Sequence, residues 1–118
     1  KMCKKALKIR RSALGKDHVD VAASLENIGG VYKHQGKYVE ALEMCGKALA
    51  IYDRALGVDS MDSARVYYVM ALNKEEAGDD AGALESPRES VRIYTKLGID
   101  NTMSQEAADL VKMLEGRA

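Results

Sequence analysis

The chain has 118 residues with 18 Lys+Arg against 18 Asp+Glu and 47% hydrophobic content. That is one domain's worth of sequence, with no charge excess to mark a surface for DNA, RNA or anionic membrane. No apolar run approaches the ~18 residues of a membrane span, and the opening KMCKKALKIRR has no apolar segment of the signal-peptide kind. Cys3 and Cys45 make neither a CxxC pair nor a disulfide framework, so reduced thiols in a cytoplasmic setting are expected. With one proline and neither Phe nor Trp, the core has to come from Ala, Leu, Ile, Val, Met and Tyr, which favours an all-α architecture of closely packed helix pairs. Lys1 in place of an initiator Met reads as a piece of something longer.

The chain matches itself at an offset of 42 residues. Ala6-Leu7-Lys8-Ile9 lies over Ala48-Leu49-Ala50-Ile51 and then over Ser90-Val91-Arg92-Ile93. Leu14-Gly15 lies over Leu56-Gly57, with Leu97-Gly98 one residue early. Gly36 lies over Gly78, and Ala41-Leu42-Glu43 over Ala83-Leu84-Glu85. Residues 1–15 therefore read as the second helix of a truncated repeat, 19–57 and 61–98 as full repeats, and 103–115 as a terminal or capping helix.

Taken in order, Gly15 ends the first helix, and Asp17 or Asp20 is expected to cap the next, at about 19–35. In that helix Leu25, Ile28, Gly29 and Tyr32 share one face at i, i+3, i+4 and i+7. Gly36 stops it, and Tyr38, Ala41, Leu42, Cys45, Ala48 and Leu49 start a second stripe running to Gly57. Small residues on the facing stripes, Gly29 against Ala41 and Ala48, let the two backbones approach closely in an antiparallel hairpin. The connector VDSMD offers Asp59, Ser60 or Asp62 as caps for a helix at about 61–77. Its partner follows at about 80–97. Within that partner Ser86-Pro87-Arg88-Glu89 has the order of an N-cap, a first-turn proline and a capping-box Glu, so the helix is expected to kink or restart at Ser86. The last helix keeps its spacing through Met103, Ala107, Leu110, Val111 and Leu114, in a register slipped by about two residues.

These residues resemble the tetratricopeptide repeat, whose pattern sets a large residue, Leu-Gly/Ala and Tyr on the first helix and Ala, an aromatic and Ala on the second. Leu25, Ile28-Gly29 and Tyr32, then Ala41, Cys45 and Ala48, fill those places. Tyr67, Met70-Ala71 and Lys74, then Ala83, Pro87 and Ser90, fill them less well. The usual period is 34 residues; the 42-residue period, with LG-x-D-H before the first helix and QGKY at the turn, is similar to the kinesin-light-chain subtype. The resemblance implies hairpins stacked in a right-handed superhelix, an α-solenoid of about five helices here. It implies a non-catalytic protein-interaction module without cofactors, taking an extended peptide or partner helix in its concave groove. The alternative is a structural spacer, or a segment that self-associates through open repeat ends. Carried over by alignment, the groove-facing residues are Ala23, Glu26, Asn27, Gly30, Lys33 and His34, then Arg65, Tyr68, Val69, Leu72, Glu75 and Glu76. The family commonly uses an asparagine at the place of Asn27 to bond a peptide backbone, its amide being donor and acceptor together. Tyr68 and Leu72, one turn apart, are expected to form an apolar pocket for a ligand side chain.

Other chemistry finds no support in the sequence. His18 and His34 belong to no metal-ligand spacing, Gly29-Gly30 falls inside a helix rather than after a strand, and GKDH at 15–18 lacks the Walker spacing. Glu75, Glu76, Asp79 and Asp80 read as a solvated helix end, and the six methionines as fillers of core gaps.

Overall fold

The computed structural model describes Lys4, Leu7, Lys8 and residues 18–117. Lys4, Leu7 and Lys8 are helical, and five helices follow: α1 (Val19–His34), α2 (Tyr38–Leu56), α3 (Met61–Glu76), α4 (Asp80–Leu97) and α5 (Thr102–Arg117). The fold is all-α, a helical repeat. The expected cap at Asp17 and stop at Gly15 lie outside the described residues. The chain gathers into two compact units, residues 1–58 and 59–118.

The first unit is organised by the α1–α2 hairpin. Gly36 takes φ +76°, the left-handed conformation that a side chain disfavours. Its N–H bonds Lys33 O at 2.9 Å while Lys37 N–H reaches back to Tyr32 O at 2.8 Å, the two-bond ending that closes a helix. The same pair of bonds closes α3 at Gly78 and α4 at Gly98, so three of the stops expected from glycine are built alike. Val21, Ala22, Leu25, Ile28 and Gly29 of α1 are buried, as are Ala41, Cys45, Ala48, Ile51 and Tyr52 of α2. The hairpin is antiparallel: Gly29, late in α1, meets Ala41 and Cys45, early in α2, while Glu26 meets Tyr52 near the end of α2.

The cap of α1 differs from expectation. His18 takes the position, its Nδ1 accepting from the Asp20 N–H at 3.0 Å. Asp20 lies in the first helical turn, where its carboxylate faces the positive end of the helix dipole. His18→Ala is expected to cost about 1 kcal/mol of stability in urea denaturation, and His18→Ser to recover it.

In the second unit Ser60 caps α3, its Oγ accepting from Ser63 N–H at 3.0 Å. Asn101 and Ser104 exchange bonds at the start of α5, Ser104 N–H to Asn101 Oδ1 at 2.8 Å and Asn101 N–H to Ser104 Oγ at 2.9 Å. The restart expected at Ser86 does not occur: α4 stays helical from Asp80 to Leu97 with Pro87 inside it. The physical reason is burial. Pro87 is less than 2% exposed, and Ser86 and Ser90 are buried beside it. Ser86 Oγ accepts from Lys74 Nζ at 3.4 Å, and Ser90 Oγ donates to the Ala64 carbonyl at 2.8 Å. Ser86 is thus turned to α3 rather than to the amides of its own helix, and packing of this face offsets the ~3 kcal/mol that an internal proline costs. Beyond it, Ala64, Ile93 and Tyr94 form a core cluster, with Tyr67, Ile99 and Met103 packed on it.

Candidate functional site

α1 carries six of the residues expected in the groove, among them Glu26, Asn27, Lys33 and His34. Asn27 and His34, seven residues apart and so on one face, are exposed, and Lys33 is half-buried. Among the described residues the Asn27 side chain makes no hydrogen bond, so both its amide donor and its amide acceptor face solvent. Beside it Gly30 has open space where a Cβ would stand. Glu26 is placed differently. Its Oε2 accepts from the hydroxyl of buried Tyr52 at 2.5 Å, which ties the carboxylate to α2. The Glu26 charge also acts on Cys45: burial first, and that carboxylate second, push the thiol up to about 11. Cys45 is therefore a protonated, packed side chain at neutral pH and no nucleophile. Tyr32, the tyrosine of the repeat pattern, is half-buried with Lys4 Nζ 5.6 Å and Lys37 Nζ 5.9 Å from its ring centre, within cation–π range.

α3 carries the other six, among them Arg65, Tyr68, Leu72 and Glu75. These four are all half-buried, and their spacing sets them along one side of the helix. Arg65 Nη1 donates to Asp62 Oδ1 at 2.8 Å. Tyr68 and Leu72 pack on the cluster of Ala71, Leu110 and Leu114, and the Tyr68 hydroxyl donates to Glu106 Oε2 at 3.3 Å. Burial and the neighbouring Glu106 raise the Tyr68 phenol above its ordinary value. Much of the apolar surface expected to receive a ligand side chain is thus covered by α5.

Three features were not visible in the sequence. Asn73 is 1% exposed, with its Nδ2 donating to the Val69 carbonyl at 3.0 Å and its Oδ1 meeting no donor among the described residues. Asp59, at the start of the second unit, accepts from Lys96 and from Arg92, the latter at 2.8 Å; these bonds hold its carboxyl below the usual carboxylate range. A cleft of about 240 Å³ opens between α4 and α5, lined by Val91, Tyr94, Thr95, Ile99, Ser104 and Ala108 among others. None of these carried a motif. Each depends on which helix packs beside which.

Among the described residues no group of His, Cys, Asp and Glu could hold a metal ion, and no helix is long and apolar enough to cross a membrane. Comparison with curated proteins returns no match. The family model of the tetratricopeptide repeat matches residues 1–44 and again residues 20–96. These matches span most of the sequence and agree with the paired helices, the glycine stops and the small-residue seam. Repeats of this kind are non-catalytic and generally mediate protein–protein interaction. The chain belongs to the tetratricopeptide repeat family.

Proposed function

We propose that the protein is a non-catalytic interaction module that binds an extended peptide, or a partner helix, along the exposed face of α1. The observation that carries this reading is Asn27. It is exposed, uncommitted to any described partner, and flanked by Gly30, which lets another backbone come close. A side-chain amide there can donate to a peptide carbonyl and accept from a peptide N–H at once. Lys33 and His34 supply polar groups nearly two turns on. Tyr68, Leu72, Arg65 and Glu75 are assigned a smaller share, because α5 and Asp62 already engage the first three. The 42-residue period and the QGKY turn support a place near the kinesin-light-chain subtype. The balanced charge supports protein rather than nucleic acid or membrane as the partner, and a cytoplasmic setting is the matching location.

A peptide array probed with the chain tests this. Asn27→Ala should weaken the captured peptides by roughly tenfold, the equivalent of two amide hydrogen bonds at about 0.5–1.5 kcal/mol each, while helicity stays unchanged. A captured set indifferent to both Asn27→Ala and His34→Ala would end the reading.

A further inference from the structure

The two ends of the α3–α4 hairpin are held together differently. At the end away from the turn, Ser90 Oγ donates to the Ala64 carbonyl at 2.8 Å, and Ile93 and Tyr94 pack with Ala64. Asp59, just before α3, accepts from Lys96 and from Arg92, the latter at 2.8 Å. At the turn end Lys74 Nζ donates to Ser86 Oγ at 3.4 Å, beyond the ~2.7–3.2 Å of a well-formed hydrogen bond from nitrogen to oxygen. An ammonium and a hydroxyl therefore meet where Ser86 is 5% exposed. A polar pair adds little of the apolar burial that keeps one helix on another. At the offset of 42 residues, Lys74 and Ser86 lie over Tyr32 and Met44, and Pro87 over Cys45. The first hairpin thus has an aromatic and a thioether side chain at the positions where the second has the polar pair.

Pro87 stands between the well-held end of α4 and the poorly held one. It has no N–H, so α4 lacks the bond from residue 87 to the carbonyl of residue 83. Asp80–Ser86, two turns of helix, are joined to the rest of α4 by one bond fewer than a regular helix provides. We propose that these two turns swing on Pro87, opening the turn end of the hairpin while Ser90 and Ile93 keep the other end closed. The open state uncovers Ser86 and releases Lys74 from it. Two turns of helix detached from a partner do not keep their hydrogen bonds in water, so the amides of residues 84–86 exchange with solvent from that state. α1 takes no part, and the device is independent of the peptide-binding reading.

Hydrogen exchange read amide by amide in the intact chain tests the proposal. The ratio of exchange at residues 84–86 to that at residues 93–96 should exceed by about tenfold the matching ratio in α2, residues 42–44 to residues 51–54. The rate at residues 84–86 should hardly change in dilute urea, because a local opening exposes little surface. Lys74→Tyr with Ser86→Met puts the first hairpin's pair into the seam, and Pro87→Ala returns the missing amide. Each should slow residues 84–86 by about tenfold, a change that a variant merely weakening the unit cannot produce. Slowing in either variant supports the hinge. Exchange of residues 84–86 at the rate and urea dependence of residues 93–96, or no slowing in both variants, overturns it.

Discussion

Ile93→Ala is expected to destabilise the second unit by about 2–5 kcal/mol, the range for truncating a fully buried branched side chain. Ile93 is 0% exposed, and its cluster joins three segments: Ala64 from α3, Tyr94 from α4, and Ile99 and Met103 from the turn and start of α5. Removing three carbons there leaves a void between parts that cannot collapse together, because Ser90, one turn away, is bonded to the Ala64 carbonyl at 2.8 Å and holds α4 at its present distance from α3. The measurement is amide hydrogen exchange across α3–α5, which reads this unit separately from residues 1–58. Ile93→Val should cost only about 0.5–1.5 kcal/mol, and the exposed Glu85→Ala less than about 0.5 kcal/mol. Equal protection in Ile93→Ala and the parent chain would show that this cluster does not hold the unit together.

The helix pairs were legible in the sequence because their signals are local. A glycine that must take positive φ ends a helix whatever surrounds it, and Gly36, Gly57, Gly78 and Gly98 all do. Apolar spacing alone likewise gave the buried faces of α1 and α2. At the expected helix restart and at the Tyr68–Leu72 pocket, the deciding partner was distant in sequence. Ser86-Pro87 has the local chemistry of a helix start, but Ser86 meets Lys74 and the proline ring is buried, so tertiary packing overrides it. His18 caps α1 with a ring nitrogen, a residue type that the usual cap preferences pass over. Asn27 is exposed because its register sets it on the side away from the Leu25–Tyr32 stripe, which periodicity shows directly. The coverage of Tyr68 and Leu72 by α5 could not be read the same way. It depends on how Leu110 and Leu114 are set after a connector that breaks the 42-residue frame.

The adjacent glycines of α1 should respond to substitution in opposite directions. A Cβ on Gly30 meets nothing within 4 Å, so Gly30→Ala gains the helix preference of alanine, about 0.8–1 kcal/mol. A Cβ on Gly29 would stand 3.3 Å from Met44 Cβ and 3.4 Å from the Ala41 carbonyl oxygen. Neither atom can swing away, since one sits at the root of its side chain and the other belongs to the backbone of α2. Gly29→Ala therefore sets the same propensity gain against a tight contact and should come out near neutral. Gly29→Leu adds three more carbons to a seam already closed by Ala41 and Cys45. Interdigitated interiors yield to added volume by shifting backbone, at about 1–3 kcal/mol and more where the partner is itself backbone, so this change should drive α2 off α1. Its readout is the loss of hydrogen-exchange protection in both helices, together with alkylation of Cys45, a thiol that the closed seam keeps buried and protonated. If Gly29→Leu kept Cys45 unreactive while Gly30→Ala lowered stability, the helix faces assigned to these two positions would be reversed, and with them the placement of Asn27 on the open side.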